Sequence, residues 1–326
     1  GLGRGARLMH HSFKRRGLNA EAFDAAPLVA RRSKTRPGVL AAIEAFDPTD
    51  IVLHLNPPVM RAAVRRLALD RVLRTGIVGY WAWELNRLPR HWARDSVLCD
   101  AIWTPSEFVA EAVRESLPEF RGDIRVETHD VAGDAFPLAS AEDRSRARMQ
   151  LGVPNSAFVA GYSFTMAANF ARKNPVAAAC AFAMAFPIGG VDAVLLLRCP
   201  DAADYPAGER QLKAAAARDP RIRILNREQA PLLAFYQALD VYFSLHRSEG
   251  YGLPLAEALQ AGAQVIATGW SIGDDLRALP GFHAVESTLT PVRDPQGVYG
   301  GITGAVWAEP DIAHAARLLA ERASLR

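Results

Sequence analysis

Cysteine is scarce: Cys99, Cys180 and Cys199 are the only three in 326 residues, and none has a partner at metal-ligand spacing. An odd, scattered set gives no disulfide framework and points to a reducing compartment, so a cytoplasmic location is expected. Long apolar runs are also missing. The longest, Val176 to Phe186, has eleven residues, about half of the roughly 20 that span a bilayer. The chain opens on glycine and arginine without a methionine. The expectation is therefore no secretory leader here, and an N-terminal piece that precedes this sequence. No lysine-bearing phosphate loop of the G-x-x-x-x-G-K type and no zinc spacing occurs, and short repeats and low-complexity segments are absent.

What is present is an ordinary globular composition, half hydrophobic and 22% charged. Its length suits two domains better than one core. The net charge of +3 conceals an asymmetry, because residues 1–74 carry fourteen Lys and Arg against six Asp and Glu. A basic face of this kind attracts anions such as lipid headgroups, phosphorylated acceptors or nucleic acid, or else it merely solubilises exposed helices.

Apolar β-rich runs alternate with helical patterns along the chain, the signature of parallel sheets built from βαβ units. Strands are expected at 51–55, 76–81, 101–103 and 124–127, then at 158–162, 193–198, 222–225, 241–245 and 264–267. The polar stretch 139–155, with a short helix closed by Gly152 and Pro154, reads as the joint. This gives an α/β protein of two doubly wound domains, 1–145 and 146–326. Ligands of such sheets bind beyond the carboxyl ends of the strands.

The most informative segment runs from Ser244 to Gly262, where a strand leads through a glycine-containing turn into a helix. Pro254 suits the helix start and Gly262 its end. Gly250 and Gly252 permit a sharp turn, so the N–H groups near Leu253 and the positive helix end form an anion site. Glu249 precedes that helix and Glu257 lies a turn inside it, eight positions on. One carboxylate is thus placed for a sugar and the other for ribose hydroxyls.

Two glutamates with seven residues between them, filled here by Gly-Tyr-Gly-Leu-Pro-Leu-Ala, resemble the retaining family 4 glycosyltransferases of the GT-B fold (group 1). The resemblance implies two Rossmann-like domains facing a cleft, the first lacking its N-terminal strand in this chain. It implies that Glu249 contacts the donor sugar and Glu257 the nucleotide ribose, with Gly250, Tyr251, Gly252 and Leu253 lining the site. Asn169 to Pro175 resembles the place of the basic pair on the donor diphosphate. Lys173 matches the family lysine; Arg172 stands adjacent rather than several residues earlier. Asn226 and Arg227 fall in the segment that lies against the nucleobase, and the tail from Trp307 resembles the closing helix. Asp-x-Asp, the metal–diphosphate clamp of the other large glycosyltransferase fold, is absent, so no metal cofactor is expected.

On the acceptor side, Gly1 to Ala6 formally fits a G-x-G-x-x-A dinucleotide fingerprint, but the GT-B resemblance makes Gly1 and Gly3 part of the first βα loop. Trp81, Trp83 and Glu84 follow a strand, where aromatic rings and a carboxylate would bind sugars and Glu84 would join the catalytic set. The alternation of the tryptophans equally fits one buried strand face. Asn56 stands at a strand's carboxyl end beside His54, which reads as a structural histidine, and Ser106 reads as a helix N-cap. The activity implied is transfer of a sugar from a nucleoside-diphosphate donor to a saccharide or lipid-linked glycan acceptor, in polysaccharide or glycolipid assembly. Peripheral contact with an anionic membrane is expected, and nucleic acid is not. A GT-B epimerase and a catalytically silent sugar-nucleotide-binding domain are the alternatives.

Overall fold

The computed structural model describes residues 2–131 and 136–325. The chain divides into two compact units, residues 1–130 with 301–304, and residues 131–300 with 305–326. In the first, β1 (Asp50–Leu53), β2 (Gly76–Tyr80), β3 (Ala101–Thr104) and β4 (Asp123–Val126) form a parallel sheet in sequential order.

The second unit holds β5 (Phe158–Ser163), β6 (Ala193–Arg198), β7 (Ile222–Leu225), β8 (Val241–Ser244), β9 (Gln264–Thr268) and β10 (Phe282–Val285). These run parallel in the order β10-β9-β8-β5-β6-β7, while β11 (Ser287–Pro291) and β12 (Val306–Pro310) form an antiparallel pair. The central strands are buried along their length because helices cover both faces, which is why they read as unbroken apolar runs. Gly161 in β5 shows how tight the cover is: a Cβ there would lie 2.4 Å from Leu239 Cδ2.

Three expectations change. The division falls at 130/131 rather than 145/146, because the helix Ala141–Gln150 belongs to the second unit. It starts on a capping box between Ser140 and Asp143, and Arg148, 1% exposed, ties it down through Ala238 O (3.1 Å), Ala157 O (3.1 Å) and Asp240 Oδ2 (2.8 Å). Gly3 lies inside the helix Leu2–Arg15 and not in a βα loop; Gly1 is outside the described residues. Nearby Gly5 has a packing reason, since a Cβ would meet His129 Cε1 at 2.6 Å. Finally, the tail from Trp307 begins as β12, and Asp311 then caps the helix Ile312–Ser324 by accepting from His314 N at 2.9 Å.

Candidate active site at the switch point of the second sheet

The chain builds β5, β6 and β7 outward in one direction, then returns to lay β8, β9 and β10 on the other side of β5. Between β5 and β8 the order reverses, the point beyond whose strand ends such sheets bind their ligands. The loop and short helices after β5 carry Arg172 and Lys173; the loop after β8 carries Glu249.

The β5 side is held rigidly. Asn169 is fully buried in the left-handed region at φ +74°, where its Oδ1 accepts from Arg172 N at 2.9 Å and its Nδ2 donates to Asp294 Oδ1 at 2.6 Å. The single helical turn Phe170–Lys173 that follows ends at Asn174, also at positive φ. Arg172, 3% exposed, donates through Nη1 to Ser248 O (2.7 Å) and through Nε to Ala168 O (3.1 Å). Lys173 O accepts from Tyr162 Oη at 2.8 Å. These bonds aim the two cations at the β8 loop.

There Lys173 Nζ pairs with Glu249 Oε1, and Arg172 Nη1 lies 3.4 Å from Glu249 Oε2. The Glu249 backbone N–H donates to Ser271 Oγ at 2.7 Å. Burial alone would raise the Glu249 pKa, but the Lys173 and Arg172 charges outweigh it and hold the carboxyl at about 2. A depressed carboxylate contributes stability that is present above its ordinary value of 4.5 and lost as pH falls toward about 2. With the side chain 14% exposed, the contribution is on the order of 3 kcal/mol. Glu249→Gln should therefore remove this part of the acid sensitivity, measured as denaturation midpoint against pH between 4.5 and 2. Identical pH profiles for the two proteins would show that Glu249 is not held by the cations.

The helix Leu253–Gln260 starts at Gly252, whose φ of +97° favours glycine, and a Cβ there would stand 2.8 Å from Leu255 Cδ1. Its amino end follows Glu249 by one tight turn, with Gly250 and Gly252 in that turn, and adds a partial positive charge to the two cations. Tyr251 is a peg: its ring is 5% exposed against Ala256 and Leu276, and its hydroxyl donates to Asp275 Oδ2 at 3.0 Å. Glu257, 5% exposed, accepts from the fully buried Tyr236 hydroxyl at 2.9 Å. After β7, Asn226 and Gln229 close an exposed turn by reciprocal 2.9 Å bonds from backbone N–H to side-chain oxygen, and Arg227 stands exposed within it.

The first unit changes several readings. Trp81 is fully buried and Trp83 is 8% exposed; both stack edge-on against Trp92, at 5.6 and 4.8 Å. Their indole N–H groups are used internally, by Met60 Sδ at 3.4 Å and Arg87 O at 2.8 Å. Both residues lie just past the end of β2 rather than on a strand face, and their rings are packed into the core of the first unit. Asn56 is likewise spent: its amide donates to Ala82 O (2.6 Å) and accepts from Ala82 N (3.0 Å), clasping two loops. His54 is structural, stacked on Tyr80 at 4.2 Å with burial lowering its pKa to about 3. Ser106 caps its helix by accepting from Val109 N. Glu84 is half-buried in the loop after β2 and belongs to the first unit, whereas Lys173 and Glu249 belong to the second.

Three residues went unread in the sequence. His246, fully buried, sits 3.0 Å from Ser244 Oγ, and burial foremost lowers its pKa to about 4 in the field of Glu249, Lys173 and Arg172. Arg247 pins β12 beneath the site through Glu309 at 2.6 and 2.9 Å and donates to Ala171 O at 2.6 Å. Arg198 ends β6 with its side chain turned to the same edge. Local sequence marks it only as a lone arginine closing the apolar strand Ala193–Arg198; its place beside β5 is set by strand order.

All three cysteines are free, and among the described residues no helix is long and apolar enough to cross a membrane. No family model matches the chain, and no curated protein does. Solved structures do. HepE of Anabaena, solved with UDP-glucose, superposes with a TM-score of 0.56 at 16% identity over 97% of this chain and 83% of its own. WaaG, a glycosyltransferase involved in lipopolysaccharide biosynthesis, gives 0.57 at 13% identity over 99% and 87%. The pneumococcal O-GlcNAc transferase GtfA, in complex with UDP and GlcNAc, gives 0.51 at 12% identity; this chain covers about half, 52%, of its length. At these identities the likeness is one of fold: the chain has the GT-B fold of glycosyltransferases, two Rossmann-like units each built on a parallel sheet.

Proposed function

We propose that the protein is a retaining glycosyltransferase of the family 4 type, moving a sugar from a nucleoside-diphosphate sugar to an acceptor hydroxyl. The observation that carries this reading is the meeting of Lys173, Arg172 and Glu249 at the switch point, next to the amino end of the helix Leu253–Gln260. A diphosphate leaving group needs fixed positive charge as the bond to the anomeric carbon breaks, and two buried cations plus a helix N-terminus supply it without a metal cofactor. Lys173, now on Glu249, has further donors with which to bridge carboxylate and phosphate. Glu249 would hold the sugar's hydroxyls and Glu257 the ribose. In the transfer, the C1–O bond to the diphosphate breaks, the acceptor oxygen bonds to C1 on the same face, and the acceptor proton passes to the departing phosphate oxygen.

The structural neighbours solved with UDP-glucose or UDP support a nucleotide sugar as donor. Glu84 is the proposed acid toward the acceptor. A polysaccharide or lipid-linked glycan acceptor, a cytoplasmic location and contact with anionic membrane through the basic first unit complete the proposal. Incubating the protein with radiolabelled nucleotide sugars and a panel of saccharide and lipid-linked acceptors should yield product with the donor's anomeric configuration, read by NMR. Isomerised sugar nucleotide without acceptor, or inverted product, would overturn it.

A further inference from the structure

We infer that the Arg198 guanidinium reads a carbonyl oxygen of the donor nucleobase and so selects uracil or guanine nucleotides over adenine nucleotides; this rests on the donor-site reading above. Arg198 is the last residue of β6, the strand beside β5, and is 8% exposed. Its Nε donates to Ala230 O at 2.7 Å and its Nη1 to Ser163 Oγ at 3.3 Å, both neutral acceptors. Among the described residues no carboxylate pairs with it. A nearly buried cation without a counter-ion carries a desolvation cost, and here burial does lower its pKa, with the charge of neighbouring Arg227 acting in the same direction. Among the described residues Arg227 has no ion pair either. Nη2 makes no hydrogen bond within the described residues and is not sealed from solvent, which leaves it available to a ligand.

Two neighbours fix which part of the nucleotide that space would take. Ala230 closes the turn after β7 that, in the family resemblance, lies against the base. Tyr236, close enough to Arg198 for each to shift the other's titration, donates to Glu257, the ribose acid. Arg198 is bracketed by the base turn on one side and the ribose contact on the other, while the phosphates are matched by Lys173 and Arg172. A guanidinium only donates. Uracil offers carbonyl oxygens and guanine offers O6 beside N7, whereas adenine has no carbonyl and sets an amino group next to N7. The wrong base leaves the buried donors unmet, which is how such sites discriminate.

Calorimetry of UDP, GDP and ADP binding to the full chain tests this with wild type, Arg198→Ala and Arg198→Met, the last keeping the stem so that folding is preserved. The wild type should bind UDP or GDP at least about tenfold more tightly than ADP. In both variants that preference should fall to about threefold or less, with ADP affinity nearly unchanged; the UDP and GDP arms tell the two carbonyl bases apart. No preference against ADP in the wild type, an intact preference in the variants, or equal weakening of all three nucleotides would overturn the inference and leave the donor site standing. Failure of every nucleotide to bind wild type would overturn the donor-site reading itself.

Discussion

Lys173→Ala should slow sugar transfer by about a hundred- to a thousandfold, the usual effect of removing one preorganised donor aimed at developing charge. It should also weaken nucleoside-diphosphate binding by at least about tenfold, ~1.4 kcal/mol. The rate effect exceeds the binding effect because the leaving diphosphate carries more charge in the transition state than in the bound donor. Lys173 suits this task because its backbone is clamped by Tyr162 and its ammonium already sits on Glu249, so little ordering remains when the ligand arrives. The same substitution leaves Glu249 with Arg172 alone at 3.4 Å, so the carboxyl pKa should rise from about 2. Lys173→Arg should not restore the rate, since a planar fork cannot replace a compact ammonium in a position 9% exposed. Single-turnover rates with matched calorimetry check both effects. Unchanged affinity and rate would remove Lys173 from the site.

The central strands were legible because burial on both faces writes itself into apolar runs: β6 falls at the expected residues, and β5, β8 and β9 differ by one residue at an end; the edge strand β7, half-buried and interrupted by Arg223, also falls at the expected residues. The strand β10 and the β11–β12 pair were not. Phe282–Val285 is only four residues long, and β11 is exposed along most of its length, so neither carries an apolar period. Within the site, Glu249, Glu257 and Lys173 could be picked out because a tight glycine turn and a Pro-started helix constrain what may surround them. Arg198 and His246 could not. Nothing in local spacing says that the end of β6 lies beside β5 or that the β8 loop folds over Arg172; both follow from strand order, a non-local property. Trp81, Trp83 and Asn56 show the converse. Position at a strand's carboxyl end is visible in sequence, but which way a side chain turns there depends on Trp92 and Ala82, neither of which its own segment specifies.

Trp81→Ala is expected to destabilise the first unit by about 3–5 kcal/mol, as for other fully buried large aromatics. The indole lies against the bare backbone of Gly79, where a Cβ would come within 2.5 Å of Trp81 Nε1 and 3.0 Å of Cys99 Sγ. Removing the ring therefore opens a cavity that a strand residue cannot move in to fill. The edge contact with Trp92 at 5.6 Å and the bond to Met60 disappear with it. Trp83→Ala should cost less, because the ring is 8% exposed, although the lost bond to Arg87 O leaves that carbonyl unsatisfied. Equilibrium denaturation separates this account from acceptor binding by rings. If the tryptophans are core, stability falls while the acceptor KM of the folded fraction stays the same. An acceptor platform would raise KM at full stability, and that outcome would restore the role the geometry takes away. Glu84→Gln supplies the contrast, since Glu84 is a half-buried residue of the same loop. If Glu84 faces the acceptor, its substitution should shift KM without the loss of stability seen at Trp81.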